Sequence, residues 1–251
     1  STQAEVKSRN VEDAMLSENM AMPVGRLPEH TLWADRTLVQ LCCDADSALG
    51  RRTADSAGCE IFRVTESRNL LTPGGIQFAL SGVRADGKTF CWTSIPCTGG
   101  TVLQYANAHH PGATARMSKH WTLPPRKFWD QAVIVMERVL SAGGSIAIEW
   151  PTSCRYWHVR VVLHFIAKHK LHMANIHGCS LDARNSKGEL VLKPWTTCTS
   201  SKSLYDRLVH RRCTRDHHHA EIHGKETSNS SRYPMKLAKL IHEEFKRSCQ
   251  Q

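Results

Sequence analysis

From Arg36 onward, short apolar runs alternate with longer amphipathic stretches, the pattern left by strands buried between layers of helices. Runs 38–43, 59–65, 90–95, 145–149 and 171–177 are predicted strands. A helix opens at Pro124 and Pro125, carries Phe128, Ala132, Val135, Met136 and Val139 on one face, and stops at Gly143 and Gly144. Residues 155–169 form a second helix with Val161, Val162, Phe165 and Ile166 inward. Residues 189–199 read as a last strand, which the turn Asn185-Ser186-Lys187-Gly188 pairs antiparallel at the edge. The expected fold is a doubly wound, mostly parallel α/β sheet with an antiparallel edge strand and a C-terminal helical, His-rich extension. Residues 1–35 are then an arm or capping helix, 36–200 the α/β domain, and 201–251 the extension, with helices at 202–212 and 234–246.

Several classes are excluded. A chain of 251 residues, 41% of them hydrophobic, builds a core without disulfide or metal staples. Its longest apolar runs, 131–136 and 145–150, fall short of the roughly 20 residues that cross a bilayer, so no membrane is expected. The start, Ser1-Thr2-Gln3-Ala4-Glu5, has no basic and apolar leader, and the ten cysteines are scattered, so a reduced, intracellular (nuclear or cytoplasmic) chain is expected. Residues 1–150 hold 15 Lys and Arg against 15 Asp and Glu, whereas 151–251 hold 18 against 8. This asymmetry points to a polyanion, nucleic acid first and DNA ahead of RNA, although a basic face that only aids solubility is the plainer reading.

In open sheets of this kind ligands collect at the carboxyl ends of the strands, which directs attention to a few residues. Cys97, in Ser94-Ile95-Pro96-Cys97-Thr98-Gly99-Gly100, is a thiol at such an end, with glycines that let a ligand approach; the plainer reading is a small buried hydrophobe. Glu149 follows Ile146-Ala147-Ile148, where burial raises a carboxyl pKa and lets it act as an acid; otherwise it caps a helix or pairs with Arg155.

These two motifs resemble the C5-cytosine methyltransferases, whose Rossmann-like fold carries a Pro-Cys nucleophile after one strand and an acidic Glu after the next. Pro96-Cys97 and Glu149 match them in type, order and placement. The resemblance implies that Cys97 adds to C6 of a flipped pyrimidine while Glu149 serves N3, and that C5 then takes a methyl group from S-adenosylmethionine. It also implies that Arg184 stands for the family's arginine motif. Cys43, Asp44, Ser47 and Gly50 would form the cofactor loop, with Glu66 on the ribose and Pro96 beside it.

A second cluster lies in the tail, where Cys213, His217, His218, His219 and His223 have spacings compatible with tetrahedral Zn²⁺. The expected ligands are Cys213, His217, His219 and His223, against a solvated His-rich loop. Trp195 beside Lys193, and Tyr156-Trp157, could stack on bases or simply pack in the core. Two rival functions follow: a catalytically degenerate methyltransferase fold that only binds nucleic acid, and a metal-dependent nuclease using one of the histidines.

Overall fold

The computed structural model describes residues 33–97, 100, 124–222 and 232–251. Residues 1–32 of the expected arm or capping helix lie outside them. Six strands form one sheet: β1 (Arg36–Leu41), β2 (Cys59–Val64), β3 (Thr89–Thr93), β4 (Ser145–Pro151), β5 (His172–His177) and β6 (Pro194–Thr199), in the order β2-β1-β3-β4-β6-β5. The first four pair in parallel, and β6 runs antiparallel to both β4 and β5. The expected antiparallel strand therefore exists, but it is inserted one place inside the edge, and β5 is the edge. β2 and β3 leave β1 in opposite directions, so the carboxyl ends of β1 and β3 open a crevice at the reversal point.

Alternating side chains divide the core in two. Val39, Leu41, Cys91, Ile146 and Ile148 face the helices α1 (Pro73–Ser81), α2 (Pro124–Ser141) and α3 (Arg160–Lys168). Leu38, Phe90, Trp92, Ala147 and Ile176 face α4 (Lys202–Leu208) and α5 (Met235–Ser248), through Leu204, Leu208, Leu237, Ile241 and Phe245. Helices α4 and α5, in the stretch expected as an extension, cover one face of the sheet and share its core.

Local chemistry accounts for the boundaries. Helix α2 ends at a left-handed Gly143, with Gly143 N–H on Leu140 O and Gly144 N–H on Val139 O, the double bond pattern of a glycine stop. Helix α1, unanticipated because Gly74-Gly75 reads as a break, is started by Pro73 and by Thr72, whose Oγ1 accepts from Gly75 N at 3.1 Å. Gly75 is required there, since a Cβ would stand 2.0 Å from Asn69 O. The expected helix at 155–169 is split: extended Val159 separates a 3-10 turn, Arg155–His158, from α3, which lets Tyr156 and Trp157 both be buried against Trp150.

Candidate active site and metal centre

Beyond β3 the chain stays paired for one more step, Ser94 N–H to Leu41 O at 3.2 Å, before turning at Pro96. The turn is braced from two sides. The buried indole of Trp150 donates to Ile95 O at 2.7 Å, and Gly100 N–H closes onto Cys97 O at 2.8 Å. Gly100 lies against Cys154 and Tyr156, where a Cβ would come within 2.8 Å of Cys154 Sγ. Cys97 is therefore held, half-buried, at the carboxyl end of β3.

On β4 the pleat sends Ile146, Ile148 and Trp150 to one face and Glu149 to the other. Glu149 is buried, and burial pushes its carboxyl up to about 7, against a hydrogen bond from the Tyr233 hydroxyl and the nearby Lys193 ammonium, which both pull it down. Tyr233 is itself fixed by Trp92 Nε1–H, which donates to its oxygen at 3.1 Å, and by Ser94 Oγ at 2.6 Å. Its ring stands edge-on to those of Trp92 and Trp195. Burial holds the Tyr233 phenol well above its ordinary range, so it is a neutral donor.

Lys193 completes the group. It has a left-handed backbone immediately before β6, with Leu192 O and Lys193 O both taken by Gly178 N–H at 2.7 and 3.0 Å. Burial lowers its ammonium to about 8, while the Glu149 and Cys97 anions work against that loss. The Cys97 thiol is raised by burial and then by the Glu149 charge, and the Lys193 charge opposes both. Cys97 and Lys193 thus each feel the other two groups, and Glu149 feels Lys193, across the rim of β3, β4 and β6. A neutral Glu149 removes the strongest nearby charge opposing a Cys97 thiolate, and Lys193 supplies a favouring one.

Cys97 and Glu149 stand at the same end of the sheet, near enough for their charges to interact, with Cys97 packed against the cluster on the α1–α3 face and Glu149 pointing to the other face; Arg184 lies elsewhere. Arg184 is paired with Asp182 and bonded to Gly188 O in an exposed hairpin. The cation near Cys97 and Glu149 is Lys193 instead. Tyr233 carried no sequence signal, because a tyrosine 84 positions from its partner is found only by folding.

Of the six expected cofactor residues, Cys43, Ser47 and Gly50 are turned inward. Cys43 Sγ points to two backbone carbonyls, Gln40 O at 3.6 Å and, on β2, Val64 O at 3.9 Å, and burial pushes its thiol up to about 12. Ser47 Oγ accepts from Gln40 Nε2 at 2.7 Å rather than capping the 3-10 turn Ala48–Gly50. The space beside Gly50 is filled by the Arg63 guanidinium, which bonds Gly50 O, and a Cβ on Gly50 would meet Arg63 Nε at 2.0 Å. Asp44, Glu66 and Pro96 are exposed. These residues do not form the glycine cradle that S-adenosylmethionine was expected to use.

The other cluster is Cys179, Cys213, His217 and His219, whose ligand atoms lie within 4.8 Å of one another and could hold a metal ion. Cys213 Sγ is 3.7 Å from His217 Nε2 and 3.3 Å from His219 Nε2. His217 Nδ1 rests on Asp216 Oδ1 at 2.7 Å, which orients the ring. The segment is tied to β5 by Arg211 O, which accepts from His177 N–H at 2.8 Å, and by Cys213 N–H on His177 Nδ1 at 2.9 Å. Cys179 thus enters the set where His223 was expected; His223 lies outside the described residues, and His218 is exposed. Trp195, Tyr156 and Trp157 are buried, so they pack rather than offer faces to bases.

No protein-family model, curated protein or solved structure matches the chain. Among the described residues no helix is long and apolar enough to cross a membrane.

Proposed function

We propose that the protein is a nucleic-acid-acting α/β domain of the C5-cytosine methyltransferase type, whose centre is built for reversible addition of Cys97 to a pyrimidine. The observation that carries this reading is the placing of Cys97 and Glu149 at the carboxyl ends of the adjacent parallel strands β3 and β4, with Lys193, just before the antiparallel β6, near enough for its charge to act on both. In the step, the Cys97 thiolate forms a bond to C6 and the C5–C6 π pair moves toward C5. Glu149 gives its proton to N3, and Lys193 stabilises the thiolate before attack. Elimination reverses the sequence and returns the proton to Glu149. The target base has to leave its stack to reach a group held this close to the sheet.

No step is assigned to a methyl donor, because the loop expected to hold one is closed on itself. This favours a fold that retains base addition over a complete transferase. The test is hydrogen exchange at C5. If the C5 carbanion forms, a cytosine-containing oligonucleotide in D₂O gains deuterium at C5 without any cofactor, and Cys97→Ser abolishes the gain. Exchange that survives Cys97→Ser removes this centre from the function. A calorimetric titration with S-adenosylmethionine decides separately whether transfer is restored by a loop rearrangement; binding would restore the transferase reading.

The metal expected at the second cluster is Zn²⁺. Sulfur–zinc and nitrogen–zinc bonds of about 2.3 and 2.0 Å put tetrahedral ligands about 3.3–3.8 Å apart, and the two sulfur–nitrogen separations fall in that interval. Four protein ligands make a closed, structural site that joins the end of β5 to the segment after α4. A closed site leaves no open coordination position for a nuclease water, which argues against the nuclease reading.

A further inference from the structure

The outer margin of β2, which ends the sheet order among the described residues, borders an open cleft of about 920 Å³. Four arginines line it: Arg51 and Arg52 from the loop after β1, Arg63 from β2 itself, and Arg68 from the loop after β2. Glu60 is the single acidic residue in the lining, so the cleft carries a clear positive excess within a half of the chain whose charges balance overall. Two aromatic rings accompany the cations. Arg52 lies over exposed Trp33 at 5.9 Å, and Arg68 over Phe78 at 4.0 Å. Arg63 Nε is buried with no hydrogen-bond partner.

We propose that this cleft binds the phosphodiester backbone of a single-stranded nucleic acid, with the rings of Trp33 and Phe78 beside its bases. Guanidinium forks match phosphate oxygens in pairs, and planar rings accept any base face, so the combination suits a strand without demanding a sequence. Charges that merely guard a strand edge against aggregation would sit on the strand. Three of these four come instead from flanking loops and converge on one hollow. An acidic peptide would match the charge but has no use for the rings. The proposal rests on the nucleic-acid part of the proposed function and not on the reaction at Cys97.

The experiment is fluorescence anisotropy of a labelled oligothymidylate over a salt series, with three variants whose changed residues are exposed in the structure. Arg51→Ser with Arg68→Ser is expected to weaken binding about tenfold and to reduce the slope of log affinity against log salt by about 1.4, the contribution of two phosphate contacts. Lys236→Ser with Lys246→Ser removes the same charge from α5 and is expected to bind like wild type. Trp33→Leu is expected to weaken binding with the salt slope unchanged. Equal losses in the two double variants, or wild-type affinity in the arginine variant, overturn the cleft and leave the nucleic-acid reading standing. Competition by polyglutamate as strong as by unlabelled oligothymidylate overturns the choice of ligand. No binding by the wild type overturns the cleft and that reading together. Intact cleft binding without C5 exchange overturns only the chemistry at Cys97.

Discussion

Replacing Glu149 by glutamine should stabilise the fold at about pH 8 and leave it unchanged at about pH 3, below the carboxyl's ordinary range. In the unfolded chain the carboxyl titrates near its ordinary 4.5, whereas in the fold burial holds it at about 7. Below both values the group is neutral in both states and makes no difference. Between them the unfolded chain loses its proton first, so stability falls as pH rises, and the full loss is reached above the folded value. At about 1.4 kcal/mol per tenfold in proton affinity, the ionised carboxylate costs the native state about 3 kcal/mol. Glutamine never ionises and still offers Tyr233 an acceptor oxygen. For a chain of this size the difference is worth about 6–12 °C in Tm at alkaline pH. Urea melts of both proteins across the range measure it directly. Parallel stability curves for the two proteins would refute the buried, proton-holding carboxyl and with it the acid in the proposed addition. Tyr233→Phe and Lys193→Met each remove a group that lowers the carboxyl. The separation from the corresponding glutamine double variants should therefore extend to higher pH.

Inductively coupled plasma analysis is expected to find one zinc per chain, lost in Cys179→Ser and retained in His223→Ala, and chelation should lower Tm. Zinc loss in His223→Ala instead would return that residue to the ligand set. Trp150→Phe strips the buried Ile95 carbonyl of its donor and should cost about 1–3 kcal/mol in urea melts, with C5 exchange slowed as the Cys97 turn loosens. Gly75→Ala drives a methyl group into the Asn69 carbonyl, and a loss of at least about 2 kcal/mol is expected; an unchanged Tm would mean that the start of α1 yields freely.

The layered sheet was legible because buried parallel strands leave uninterrupted apolar runs, and the starts of β2 and β4 were read to the residue. The read strand at 189–199 was too long for a local reason: Lys193 adopts a left-handed backbone, and only Pro194–Thr199 reaches the sheet, while Leu190 bridges to Arg184. Helix α1 was missed because glycine normally breaks helices, and its use here answers a backbone contact that no local pattern reveals. Within the site, Cys97 and Glu149 were readable from their places at strand ends. Lys193 and Tyr233 were not, since their roles depend on β6 entering beside β4 and on Tyr233 lying against it. The same applies to Cys179, 34 positions before Cys213 and outside the histidine row that drew attention. Charge summed over halves of the chain concealed the arginine cleft, because acidic residues on other surfaces cancel it in the total.

The place of β6 between β4 and β5 also imposes an order of events on synthesis. Strands β1 to β4 can pair as soon as residue 151 has left the ribosome, but β5, although made before β6, has no neighbour to bond until residues 194–199 arrive. A nascent chain paused between them would carry a finished four-stranded half whose Glu149 faces water, with neither Lys193 nor Tyr233 yet beside it. The surroundings of Glu149 are therefore completed only when residue 233 has been made, just ahead of α5, which closes the sheet face after it.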